Sequence, residues 1–260
     1  MRLDRFLSNN CGITRSQVRR QVKAKRVLVN NSVVTDPGYK FNELVDVATL
    51  DGLTIAAVGK MYYMLNKPSD YICANSDAQH PTVLDLIAKS ENFIGAQQNF
   101  LRAPIKDLQI AGRLDINTTG LVLVTNDGEW NHRVTAPSSA CSKTYCVELD
   151  SAFDCKTLEH FSNGIQLDGE RKKTLPATLK VLNSHSVKLS IQEGKYHQVK
   201  RMFAATGNRV TKLHRESIGD IQLDSSLQAG QYRELNYAEI IAFVPHTAID
   251  KTSPHTGGSP

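Results

Sequence analysis

The sequence predicts an α+β fold in two parts, a small basic N-terminal module and a larger domain built on a mixed, largely antiparallel sheet. Three observations lead there. The excess positive charge is confined to the first quarter: residues 1–60 hold 10 Lys and Arg against 5 Asp and Glu, and the remaining 200 residues hold 21 of each. Beyond residue 60, strand-like runs alternate irregularly with helix-like ones, unlike the regular repeat of a doubly wound parallel sheet. A chain of 260 residues with 40% apolar side chains also has enough material for one sizeable core and an accessory domain.

The first 26 residues carry Arg2, Arg5, Arg15, Arg19, Arg20, Lys23, Lys25 and Arg26 against Asp4 alone, a density suited to a phosphate backbone. In "ITRSQVRRQVKAKRVLVNNSVV", Thr14 or Ser16 is a candidate N-cap. Val18, Val22 and Val27 fall near one helical face and leave the charges on the other. "RVLVNNSVV" then reads as two short strands about an Asn30-Asn31 turn. A basic helix followed by such a hairpin resembles an S4 RNA-binding domain, and the resemblance implies that these charges meet folded RNA. The plain alternative is a solvated helix face. "DGLTIAAVGK" closes the module, so the expected domains are 1–60 and 61–244. The remainder, 245–260, is polar and rich in Pro, Gly and Ser, and reads as a disordered tail.

Within the larger part, "MYYML", "GLVLVT", "TYCVEL", "ATLKVL", "SVKLSI" and "RVTKLH" read as strands. "TVLDLIAKS", "DCKTLEHFSN" and "YHQVKRMFAATG" read as helices. In "AGRLDINTTGLVLVTNDG", residues 113–120 form the loop entering a buried strand, where a reactive group can be held against a rigid element. Asp115 there either caps a turn, with Asn117, Thr118 and Thr119 supplying local hydrogen bonds, or does chemistry. A helix over 196–206, stopped by Gly207, turns Val199, Met202 and Phe203 inward. Lys195, Lys200 and Arg201 project from or beside it, and His197 in its first turn reads as a structural hydrogen-bonder. Tyr145 lies near the start of a strand, its ring suited to a core or to stacking on a base. Asn66-Lys67-Pro68 reads as a strand end, and His80-Pro81-Thr82 as a helix start.

The five cysteines are odd in number and contain no Cys-x-x-Cys pair, which favours reduced thiols over disulfides or a zinc site. No window approaches the roughly 18 to 20 consecutive apolar residues of a membrane span. The charged start does not look like a secretion signal, so a soluble cytoplasmic protein is expected.

The blocks "YYMLNKP", "HPTVLDL", "AGRLDINTTGLVLVTNDGEWNHRVTAP", "CSKTY", "EGKYHQVKRMFAATGN" and "LHRESIGDIQL" occur in this order. Together they closely resemble the RsuA family of pseudouridine synthases, and with the S4-like start they span the chain to about residue 244. The resemblance implies isomerisation of one uridine in 16S ribosomal RNA, of the type acting at uridine 516. It makes Asp115 the catalytic aspartate, Lys200 its basic partner ahead of Arg201, and Tyr145 the ring that stacks on the flipped base and assists proton removal. Arg113 would hold the vacated space or the RNA backbone, and Lys195 and Arg201 join the RNA-binding set with the N-terminal cations. Relatives acting on large-subunit RNA tend to read Asn-Arg-Gln-Val-Arg where this chain has residues 196–200 as Tyr-His-Gln-Val-Lys, which points to the small subunit. The link over 88–111 looks longer than is usual in the family. The implied partner is 16S ribosomal RNA within a partly assembled small subunit, with no membrane and a monomeric enzyme.

The chemistry accounts for these residue types. The bond from N1 to C1′ breaks and C5 joins the same carbon, with no redox change and no imported group, so neither cofactor nor metal is called for. An ionised carboxylate near the sugar is needed, either as nucleophile at C1′ or as base at C2′, and both routes stay open. Burial alone would neutralise it, and a nearby Lys200 or Arg113 opposes that. Extruding the uridine costs a few kcal/mol, offset by stacking and phosphate contacts. Two rivals are a noncatalytic RNA-binding protein with the same fold, and a glycoside hydrolase pairing Asp115 with Asp127 or Glu193.

Overall fold

The structure is a computed structural model describing residues 1–11, 13–43, 45–55, 59–95, 105–136 and 139–243. The tail expected at 245–260 lies outside the described residues. The chain divides into two compact units, Met1–Lys60 with Gln97–Leu108, and Met61–Ala96 with Gln109–Pro260.

In the first unit, helices α1 (Leu3–Cys11) and α2 (Arg15–Lys23) accompany strands β1 (Val27–Val29), β2 (Ser32–Val33), β3 (Ala48–Leu50) and β4 (Leu53–Ile55), ordered β2-β1-β3-β4. Thr14 starts α2 with a capping box: its hydroxyl accepts from the Gln17 N–H (3.2 Å), and the Gln17 side chain accepts from the Thr14 N–H (2.7 Å). Val18 and Val22 are buried against Leu3, Phe6 and Leu7, while Arg15, Arg19, Arg20 and Lys23 stay exposed. The helix stops at Lys23 and Lys25 turns left-handed (φ 57°), so Val27 belongs to β1 rather than to the helix face its spacing suggested. It still joins the same core. Asn30 and Asn31 are both left-handed (φ 50° and 63°), the backbone that a two-residue hairpin matching the strand twist requires.

The second unit carries strands β5 (Tyr62–Lys67), β6 (Gln109–Ala111), β7 (Thr119–Thr125), β8 (Lys143–Leu149), β9 (Thr178–Asn183), β10 (Ser186–Ile191), β11 (Val210–Ile218), β12 (Ile221–Gln222) and β13 (Tyr232–Glu234). They form one sheet ordered β13-β5-β7-β11-β8-β10-β9, with β6 on β7 and β12 on β11. Each pairing is antiparallel except that of β7 with β11, so the sheet is mixed and largely antiparallel. Helices α3 (Val83–Ile87), α4 (Gly128–Thr135), α5 (Leu158–Ser162), α6 (Gln198–Ala205) and α7 (Tyr237–Ile241) complete it. The helix expected over 196–206 begins at Gln198, because His197 adopts a left-handed conformation (φ 48°) that closes a turn before it.

β7 is buried from Gly120 to Thr125 and lies inside the sheet, between β5 and β11. Its glycine is a steric requirement. Gly120 pairs with Lys67 on one side and Arg215 on the other. A Cβ there would lie 2.3 Å from the Arg215 carbonyl oxygen and 2.7 Å from its nitrogen, at φ +101°. Gly169 has a comparable left-handed φ of +72° with nothing within 4 Å of a built Cβ.

Urea denaturation of Gly120→Ala should therefore show a loss of about 3 kcal/mol or more, against roughly 1 kcal/mol for Gly169→Ala, which bears backbone strain alone. A second expectation concerns acid. Arg233 on β13 joins Asp224 (2.7 Å) to Glu239 on α7 (2.8 Å). Hydrogen bonds from Ser226, then Arg233, lower the Asp224 carboxyl from an ordinary 3.8 to about 2. Its folded pKa lies below its unfolded value, so the stabilisation is complete above 3.8 and is lost as pH falls to about 2. Asp224→Asn should remove that part of the acid dependence in pH-resolved melting curves.

Candidate active site

The loop joining β6 to β7 is held from beneath by its own backbone carbonyls. Lys67, the last residue of β5, is fully buried, and its ammonium donates to the carbonyls of Pro68 (2.9 Å), Ile116 (3.0 Å) and Thr118 (2.7 Å). Burial pushes its pKa below the usual lysine range, and the nearby Cys73, Asp115 and Asp70 oppose that. Arg215 on β11, also buried, donates through Nε to Leu121 (2.8 Å) and through its Nη atoms to Gly112 (2.6 Å) and Arg113 (3.5 Å). Above this base the Thr118 N–H closes a turn onto the Asp115 carbonyl (3.0 Å), and the Cys73 thiol accepts from the Leu114 N–H (3.3 Å). Lys67, Gly120, Arg215, Tyr145 and Leu189 stand opposite one another in a row across five strands. The row joins the loop's foundation to the tyrosine.

Asp115 is partly exposed, and Lys200 lies 3.2 Å from its Oδ2 while His197 Nε2 lies 3.6 Å from its Oδ1. Lys200 also donates to Asn117 Oδ1 (2.6 Å), so α6 and the loop are joined at two points. Arg113 is exposed on the same cleft and, among the described residues, makes no ion pair with Asp115. Lys200 thus supplies the cation beside the carboxylate. Tyr145 lies 8% exposed on the cleft wall with Asp115, Ile191, His197, Lys200 and Leu213, and its hydroxyl has no hydrogen-bond partner among the described residues.

The other expected cations separate into distinct groups. Lys195 and Arg201 both pair with Glu170 (2.8 and 3.3 Å), and Arg201 also donates to the carbonyls of Asp168 and Tyr196. These cations hold the Glu170 carboxyl below its ordinary range, Lys195 foremost. Arg2 and Arg19 flank Asp4 (3.0 and 3.8 Å), and Arg26 binds Asp51. Arg5, Arg15, Arg20, Lys23 and Lys25 are exposed and make no ion pair among the described residues.

His197 was expected only to brace the helix, and the structure places it against Asp115. The one available signal was its position three residues before Lys200, about one helical turn. Lys67 and Arg215 carried no signal of burial, because their partners are carbonyls from distant segments. Both companion carboxylates of the glycosidase alternative serve the fold. Asp127 caps α4 and accepts from the Tyr62 hydroxyl (2.8 Å). Glu193 accepts from the Leu175 N–H (2.7 Å) and the Gln198 amide (2.9 Å). No group of three or more potential metal ligands occurs among the described residues.

The family model described as RNA pseudouridylate synthase matches residues 61–205, a span that holds the loop, Tyr145 and α6, and the S4 domain model matches residues 1–43. The chain belongs to the RNA pseudouridylate synthase family. Ribosomal small subunit pseudouridine synthase A of Yersinia pestis is 47% identical over 95% of this chain and 100% of its own length. That of Escherichia coli K12 is 46% identical over 94% and 100%. A solved structure titled "Crystal structure of pseudouridylate synthase" covers 94% of this chain at 39% identity with a TM-score of 0.64. In this pseudouridylate synthase, Lys67 and Arg215 present the loop and α6 brings a lysine and a histidine to its aspartate.

Lys67→Met keeps the bulk of the side chain and removes the ammonium, leaving buried carbonyls unpaired. Denaturation should report a loss of about 2 to 4 kcal/mol.

Proposed function

We propose that this pseudouridylate synthase isomerises one uridine of 16S ribosomal RNA, at the position corresponding to uridine 516, with Asp115 as its catalytic carboxylate. The observation that carries the reading is Asp115 on a braced loop, ion-paired to Lys200 and facing Tyr145 across one cleft. The small-subunit substrate is supported by relatives named for that subunit at up to 47% identity across nearly the whole chain.

Asp115, ion-paired to Lys200, acts at C1′ as nucleophile or at C2′ as base. With the N1–C1′ bond broken, the uracil turns over the Tyr145 ring and its C5 joins C1′, as the bond from Asp115 to C1′ breaks on the nucleophile route or as Asp115 returns its proton to C2′ on the other. The C5 proton then leaves, with the Tyr145 hydroxyl at hand, and N1 takes up a proton. Arg113, exposed at the cleft mouth, meets the RNA backbone. The free N-terminal cations, Arg5, Arg15, Arg20, Lys23 and Lys25, with Arg19 beside them, dock folded RNA, and the enzyme works as a cytoplasmic monomer on a partly assembled subunit. The chemistry asks for neither metal nor cofactor.

Tritium release from C5-labelled uridine in unmodified small-subunit RNA assembled with ribosomal proteins tests this reading. The native chain should release tritium and Asp115→Asn none, while Lys200→Met should lower kcat on the order of a hundredfold. No release by the native chain on several assembly intermediates would leave an RNA-binding protein. In the docking module, Arg19→Ala with Arg20→Ala should reduce the slope of log affinity against log salt by about 1 to 2. An unchanged slope removes these arginines from the footprint.

A further inference from the structure

Two features beside the cleft take no part in the chemistry described. Tyr196 is 77% exposed, and its ring lies flat on His197, with centroids 3.9 Å apart and planes 18° from parallel. That stack ends at Asp115, 3.6 Å beyond the imidazole. The second feature is the run Arg171-Lys172-Lys173, exposed throughout and without an ion pair among the described residues.

The basic run is held in a fixed place. On one side Glu170 binds Lys195 and Arg201, and Arg201 reaches the Asp168 carbonyl. On the other, Glu193 accepts from the Leu175 N–H and from Gln198. Both stems of the tip are therefore fastened to the segment that carries His197 and Lys200. The carboxylate nearest the tip is already shared by two cations, so the charges of Arg171, Lys172 and Lys173 are uncompensated. A tip and a ring ordered before binding lose little conformational entropy when a strand arrives.

We propose that Tyr196 and the 171–173 tip form a subsite for the RNA strand flanking the target uridine. An unpaired neighbouring base stacks on the free face of Tyr196, and Arg171, Lys172 and Lys173 hold the phosphates beside it. Aromatic stacking with phosphate contacts is how unpaired strands are commonly gripped, and it suits a nucleotide displaced when the uridine is extruded. The assignment rests on the RNA reading of the Asp115 site.

The test measures KM and salt dependence on the assembled small-subunit substrate. Tyr196→Ala should raise KM about tenfold. Tyr196→Phe and Tyr196→Trp should restore it, and Tyr196→Leu, of similar bulk without a π face, should not. Removing the base on one side of the target uridine should raise KM for the native enzyme and cancel the further effect of Tyr196→Ala. The triple change Arg171→Ser, Lys172→Ser, Lys173→Ser should reduce the salt slope by about 2. Rescue by Leu as complete as by Trp, or a native slope in the triple variant, overturns the subsite while native tritium release leaves the Asp115 reading standing. Absence of tritium release by the native enzyme overturns both.

Discussion

Two buried cations, hydrogen-bonded to backbone carbonyls and in no ion pair among the described residues, underlie the site. Lys67 and Arg215 give their hydrogen bonds to backbone carbonyls, and those carbonyls belong mainly to residues 112–121. A buried charge is tolerated only when its donors are satisfied, so the cations and the loop impose one geometry on each other. Gly120 lies between them and lets β7 approach β11 closely enough for Arg215 to reach across. The parallel pair within an otherwise antiparallel sheet is the place where the strand from the loop meets the strand that braces it.

Charge near the cleft is divided by task. Lys200 faces Asp115 and Asn117, whereas its neighbour Arg201 faces Glu170. Successive residues on a helix point about 100° apart, so one turn of α6 serves both Asp115 and the loop over 168–175. His197 begins that turn in a left-handed conformation, which sets its ring between Asp115 and Tyr196. Strain of this kind is sustained where surrounding bonds over-determine it, and here Lys195 and Gln198 are tied to each other on either side (2.8 Å).

The N-terminal module follows the same division. Val18, Val22, Val27, Val29 and Val34 make the core with α1, Asp4 holds Arg2 and Arg19, Asp51 holds Arg26, and Arg5, Arg15, Arg20, Lys23 and Lys25 are exposed without an ion pair among the described residues.

Local structure was legible in the sequence wherever short-range chemistry decides it: an N-cap at Thr14 or Ser16, of which the structure uses Thr14, the Asn30-Asn31 hairpin, and the apolar runs that became β5, β7, β8 and β10. Ordered motifs also singled out Asp115, Tyr145 and Lys200 before any coordinate placed them in one cleft. Only the tertiary structure decided that Lys195 and Arg201 serve Glu170, that His197 meets Asp115, and that Lys67 and Arg215 lie in the interior. The physical reason is distance along the chain: Lys67 finds two of its three carbonyls 49 and 51 residues away and Arg215 finds Gly112 at 103. A backbone carbonyl leaves no trace in residue identity, so such pairings arise only when the sheet brings the strands together.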